Sequence, residues 1–423
     1  MKRYLSMLVA TFIFCFVSAA QSEAAPGALA WNGALGGNGA TWSTPIALNA
    51  RVYVQDQDNG GITCFDASTG ATKWYKVVAD SGTLSSPVYR KGWIILFGSK
   101  VYKVNARTGS TDKTFDPGEW IASKAPAVSD TTVFFSTATD LYAVDLDSFA
   151  QEWKKPITSP GNVVFAGNVV YFMSDKVYAL NPADGSEYWS IPSLNATDPE
   201  GFNMGAVLGN SLVFLSEVDI WGDHDSKILA YTLNPDPTVA PAERWRAPMG
   251  HDQMSDDAPP VIEGGRVFAN TRAGILKAFN LNGDGIPLWT QTVRGEGMAT
   301  ALPIAVNGKV YTQEEVAVGE EISMQLVCRD GGTGAVVWQT SQDMGISWAQ
   351  PALYLDKVIL ATDWGGVYAF EAGTAGGNWY MMQQNPALTG CDTGWVPEPL
   401  PDDGSFFLIP RKTGGGGAII YLE

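Results

Sequence analysis

The sequence predicts an all-β chain closed into a ring, a single propeller of four-stranded antiparallel blades. Three observations carry this reading. A segment with Asp or Asn, a Gly four residues on and a Trp four residues later recurs along the chain, at a spacing of roughly 40 to 50 residues that signals propellers. Ahead of each copy stand short apolar runs rich in β-branched and aromatic residues, broken by a polar turn. The two ends of the chain carry complementary fragments of one such unit.

The clearest copies are Asp66-Gly70-Trp74, Asn181-Gly185-Trp189 and Asp330-Gly334-Trp338. Asn280-Gly285-Trp289 has one inserted residue, Asn105-Gly109-Phe115 replaces the Trp, and Asp145 to Trp153 keeps the spacing with Phe149 where Gly would stand. Before these segments, Ser86-Pro87-Val88-Tyr89 and Trp93-Ile94-Ile95-Leu96 read as successive strands, and Asn307-Gly308 marks a tight hairpin turn. Each unit is a meander of strands A, B, C and D in chain order, with the Trp on D.

One such sheet leaves two apolar faces, so neighbours must stack and the row must close on itself. Leu29-Ala30-Trp31 is a D strand with no A, B or C before it, whereas Trp395 to Glu423 supplies A, B and C strands, at 405–409 and 418–421, without a D. The N-terminal strand is expected to complete the last blade, with Trp31 beside Ile419 and Tyr421. D-type segments at Trp31, Trp74, Phe115, Trp153, Trp189, Trp245, Trp289, Trp338 and Trp379 number nine, while propellers usually have about four to eight blades. Eight blades is the expectation, with nine as the alternative.

The start of the chain reads as an export signal over residues 1–24. Lys2 and Arg3 precede an apolar run from Leu5 to Ala20, and Val17-Ser18-Ala19 or Ser22-Glu23-Ala24 offers small residues for cleavage. The propeller then occupies 25–423. No later stretch is long and apolar enough for a transmembrane segment. Cys15 lies inside the apolar run and is followed by Phe16, so no lipid-anchor motif is read there. The mature chain is expected to be a soluble monomer, periplasmic or secreted. Its formal charge moves from -17 to -18 on loss of Lys2, Arg3 and Glu23, which excludes nucleic acid and anionic membrane as partners. Of the remaining cysteines, Cys64 and Cys328 occupy the same repeat position and Cys391 stands alone. They read as buried strand residues, with no disulfide framework.

The segment Cys64-Phe65-Asp66-Ala67-Ser68-Thr69-Gly70-Ala71-Thr72-Lys73-Trp74, with its counterparts around Trp189 and Trp338, resembles the tryptophan-docking repeat of the pyrroloquinoline-quinone (PQQ) propeller superfamily. The resemblance covers nearly the whole mature chain and implies that each Trp packs between adjacent blades, a structural role. In the quinone-dependent dehydrogenases of that superfamily an adjacent-cysteine disulfide lies over the cofactor, beside calcium and an Asp base, and here no two cysteines are adjacent. In length the chain looks like the other branch, which includes the cofactor-free propeller subunit of the outer-membrane barrel-assembly machine. The resemblance therefore implies a binding or protein-interaction scaffold without cofactor, with a PQQ-dependent oxidoreductase as the alternative.

In a meander blade the D-to-A and B-to-C loops emerge on one face. That face collects Asp56, Asp58, Asp252, Asp256, Asp257, Glu314, Glu315 and Asp363 among many acids, against few bases, and carries Trp42, Trp120, Trp221, Trp348, Trp364 and Trp395. Acid beside aromatic receives cationic groups through charge and cation–π contact, or sugar rings by stacking. The expected ligand or partner face is thus Trp120, His251, Asp252, Asp256, Asp257, Trp348, Trp364 and Trp395. It would serve an envelope or extracellular protein, or alternatively a glycan or small cationic ligand. Asp219, Asp223 and Asp225 on one loop are the candidate calcium ligands, although solvated loop carboxylates are the commoner meaning of such a run. Asn280 to Gln291 lacks the terminal Glu of a calcium loop and reads as an ordinary turn. The only histidines are His224 and His251. His251-Asp252 near Ser255 has the ingredients of a hydrolase without a framing motif, so no catalytic residue is assigned.

Overall fold

The structure, a computed structural model, describes residues 24–37, 43–78, 85–122, 126–192, 202–216, 226–250, 259–271, 274–293, 302–318 and 321–373, together with 397 and 400. Within them every regular element is a β-strand, and the strands form eight four-stranded antiparallel sheets. Blades 1 to 7 run A, B, C, D in chain order over 46–77, 88–115, 127–156, 162–191, 202–250, 261–292 and 304–339. Blade 8 takes A, B and C from Ala352–Tyr354, Lys357–Ala361 and Gly366–Glu371, and D from Leu29–Ala34 at the other end of the chain.

The expected closing device is therefore present, with a different partner strand. Trp31 lies opposite Ala369 and Asn32 opposite Tyr368, not beside Ile419 and Tyr421. The Gly27 amide donates to the Glu371 carbonyl at 2.7 Å, and the Glu371 amide to that of Ala28 at 2.9 Å. Residues 352–371 already supply a complete A-B-C set, and Leu29–Ala34 is the strand that occupies its free edge. Trp379, 405–409 and 418–421 lie outside the described residues.

The burial pattern explains why the sheets stack. Strands B and C are buried on both sides along nearly their whole length, as in Arg51–Asp56, Thr132–Ser136 and Gly61–Asp66, whereas D strands alternate, as in Gln151–Pro156. The core accordingly lies in the wedges between neighbouring blades.

Each D strand locks its blade to the next. The indoles of Trp31, Trp153, Trp245, Trp289 and Trp338 donate to the carbonyls of Ala67, Pro182, Leu281, Gly331 and Ala372, at 2.8–3.2 Å, in the C-to-D turn of the following blade. The repeat's glycine is required there twice over. Gly70 has φ +72°, and a Cβ on it would fall 2.6 Å from the Trp31 ring. The repeat's Asp makes the same turn from the other side: the Asp66 carboxylate accepts from the Ser68 and Thr69 amides at 3.0 and 3.1 Å. At the blade 2–3 boundary both partners differ together. Phe115 replaces the Trp, Phe149 replaces the Gly while keeping φ at 60°, and both join one core cluster. Asn307-Gly308 forms the expected tight turn, with φ 50° and 72°.

Candidate functional site on the loop face

Hydrogen bonds just ahead of the A strands tie neighbouring blades together. The Gln350 amide donates to Thr44 Oγ1 and the Thr44 amide to Ser86 Oγ, both at 3.2 Å, while Gln350 Nε2 reaches the Pro303 carbonyl at 2.9 Å. Blades 7, 8, 1 and 2 are thus stitched in sequence just ahead of the prolines that open their A strands. These bonds hold the D-to-A loops on a fixed base.

The best-defined part of this face is where blade 7 meets blade 8. Strands B and C of blade 7, Lys309–Val318 and Glu321–Asp330, are ten residues each, against five or six in most other blades, so their hairpin projects beyond the ring. Gln313 on that hairpin holds the neighbouring loop from both sides, donating to the Gly345 carbonyl and accepting from the Ser347 amide, each at 2.7 Å. Ser347 Oγ in turn donates to the Ala361 carbonyl at 2.7 Å, and the Asp363 amide to that of Ile346 at 3.0 Å.

Two of the aromatics expected at the site converge on this platform. Trp364, in the B-to-C turn of blade 8, lies over Gly345 and is 82% exposed. Trp348, on the loop from blade 7, is half-buried and donates from its side chain to the Asp363 carboxylate. Burial pushes the Asp363 carboxyl above its ordinary range, opposed by the hydrogen bonds it accepts from its own and the Trp364 amides and from Trp348. A rigid indole beside a partly desolvated acid can receive an apolar side chain or a cationic group.

Trp120 is separate from them. It projects, 58% exposed, from the loop between blades 2 and 3, three blades away around the ring. Its neighbours fix the loop: Glu119 accepts from Thr139 Oγ1 at 2.7 Å, and the Pro117 carbonyl from the Tyr142 hydroxyl at 3.3 Å. His251, Asp252, Asp256, Asp257, Trp395 and the calcium candidates Asp219, Asp223 and Asp225 lie outside the described residues. Among the described residues there is no cluster of three or more His, Cys, Asp or Glu able to hold a metal.

The negative field of this face is smaller than the residue count implies. Glu314 is buried and paired with Arg329, whose Nε donates to it at 2.7 Å in a two-point contact. Asp56 is buried and accepts from the Asn59 amide and Nδ2 at 3.2 and 3.0 Å. Asp343 accepts from the Met324 amide at 3.1 Å. Cys64 and Cys328 are buried in the C strands of blades 1 and 7, with burial pushing their thiols up to about 11 and about 12. They cannot form the adjacent-cysteine ring of quinone dehydrogenases. No helix among the described residues is long and apolar enough to cross a membrane.

Comparison with known proteins gives one family. The model of the outer membrane protein assembly factor BamB matches residues 18–191 and 240–390. Among curated proteins nothing matches. Among solved structures, BamB from Moraxella catarrhalis superposes with a TM-score of 0.61 at 13% identity, over 80% of this chain and 98% of that one. The computationally designed Ika8 protein gives 0.62 at 13% identity, over 82% and 100%. Saccharomyces cerevisiae Sqt1 gives 0.60 at 10% identity, over 82% and 99%. At these identities the superpositions speak for the fold alone.

Proposed function

We propose, from the premise that this chain belongs to the family of the outer membrane protein assembly factor BamB, that it is an exported protein-interaction scaffold of the cell envelope whose partner docks on the loop face at Trp348, Asp363 and Trp364. The observation that carries the reading is Trp364, a large aromatic 82% exposed on a loop pinned by its neighbours. Exposing an indole to water is unfavourable, and Trp is enriched among the few residues that dominate protein interfaces. A pre-formed platform avoids the ordering cost that weakens flexible sites. The Asp363 carboxylate beside it favours a basic residue on the partner. The family's name and the signal read over residues 1–24 support the envelope as the place of action.

The test is affinity capture from envelope extract with the full mature chain, wild type against Trp364→Ala. A specific partner whose recovery falls about tenfold or more in the variant, as expected for loss of a dominant interface residue, supports the proposal. Equal recovery of every partner by both forms rejects this face.

A further inference from the structure

The outer rim separates the blades into two groups. Each sheet ends on its D strand, so every D strand has one unpaired edge. Natural sheets protect such edges with charge, lysine above all. In blades 1 to 5 the residues between the C-to-D turn and the docking aromatic include Lys73, Asp112 with Lys113, Glu152, Glu187, and Glu243 with Arg244. In blades 6, 7 and 8 the corresponding residues are Ile286-Pro287-Leu288, Ala335-Val336-Val337 and Leu29-Ala30, with no charge at all. Ile286 is 69% exposed, and Leu288, Val336, Val337 and Leu29 between 42% and 49%. The three blades are consecutive, so the uncharged positions form one arc at a common level of the rim. Apolar surface gathered in this way marks an interaction site.

Charge identifies what covers it. Among the described residues, those of blades 1 to 3 within 43–156 hold 11 acids and 11 bases, whereas those of blades 6 to 8 within 259–373 hold 10 acids and 5 bases. The bare arc thus sits in an acidic sector. A second copy docked arc to arc would set two acidic sectors against each other, and an anionic membrane would be repelled in the same way. We infer that the rim of blades 6 to 8 is a second docking surface, independent of the loop face, for a protein segment with an apolar face flanked by Lys and Arg.

The probe is a synthetic amphipathic peptide of Leu and Lys, titrated against the full mature chain by fluorescence anisotropy, with a Leu and Glu peptide as counterpart. The Lys peptide should bind, weakening with salt, and the Glu peptide should not. Combined Leu29→Lys, Leu288→Lys and Val336→Lys should weaken binding about tenfold or more, while Gln151→Lys on the rim of blade 3 should leave it unchanged. These positions are exposed, so a folded variant is expected and is verified by its melting curve. Should that curve be lost, Leu288→Lys alone, which should weaken binding severalfold, takes its place. Equal binding by wild type and the triple variant overturns the inference. So does a wild-type dimer in sedimentation that the triple variant abolishes, since the arc would then join two copies. The loop-face proposal fails or stands separately, on Trp364→Ala.

Discussion

The indole of Trp31 donates to the Ala67 carbonyl at 2.9 Å and lies over Gly70, docking the strand that closes blade 8 on the C-to-D turn of blade 1. This is the contact that the other docking tryptophans make between consecutive blades, here made from the strand whose other edge closes the ring on Gly366–Glu371. Trp74 is the informative contrast. It packs on Gly109, but its indole N–H is buried without a hydrogen-bond partner.

Trp31→Phe should therefore cost about 1–2 kcal/mol by orphaning the Ala67 carbonyl and losing the bond. Trp74→Phe, which removes an already unpaired donor, should cost clearly less. Urea titrations of the two variants give the comparison, and equal losses would contradict it.

The pair at the blade 2–3 boundary predicts coupling. Phe115→Trp alone overfills the space and Phe149→Gly alone empties it, each destabilising, whereas together they restore the repeat's own Trp and Gly. A double-mutant cycle should show a favourable coupling of about 0.5–3 kcal/mol. Additive losses would mean that the two departures are unrelated.

Ala50 sits at φ 57° after Asn49 at φ 50°, in the A-to-B turn of blade 1. An L-residue with a Cβ pays roughly 1–2 kcal/mol in this region, part of which glycine gives back as chain entropy. Ala50→Gly makes the turn Asn-Gly and keeps the amide that donates to the Tyr354 hydroxyl at 3.0 Å. The midpoint of unfolding should rise, by about 1 kcal/mol or less in stability. A fall would contradict the argument.

The raised carboxyl of Asp363 fixes a pH dependence. Its folded value lies above the unfolded one of about 3.9, so the contribution to stability is fully present below that value and is lost as pH rises through the folded value. Asp363→Asn keeps an acceptor for Trp348 and removes the charge. It should be more stable than wild type at pH 7, with the advantage vanishing in acid. Denaturant midpoints at the two ends of the range test this, and a wild type more stable at neutral pH would reverse it.

Much of the fold was legible because the docking of Trp on Gly constrains sequence directly. Gly70, Gly185 and Gly334 all need a positive φ and bare space under an indole, and few other residues satisfy both. The closing strand was legible in kind but not in partner. Trp31 and Trp379 both look like docking residues, and only the register with Ala369 decides which one completes residues 366–371. The loop face was read through charges whose partners are remote in sequence: Arg329 neutralises Glu314 fifteen positions away. Trp348 and Trp364 lie on the D-to-A and B-to-C loops of blades 7 and 8, but their convergence depends on the long blade 7 hairpin, which turn residues alone do not reveal. The bare rim was written in the two residues before each docking Trp, a signal hidden by comparing the repeats for what they share instead of where they differ.

Both proposed surfaces take their position from the closed ring, so the closure is what to measure. With Asn32→Cys and Tyr368→Cys, opposite each other across the seam, mild oxidation followed by peptide mass mapping should yield a disulfide between positions 32 and 368 in a folded chain, leaving the buried Cys64 and Cys328 reduced. Free thiols at both positions, or a link from position 32 that forms only with Ile419→Cys, would contradict the closure described.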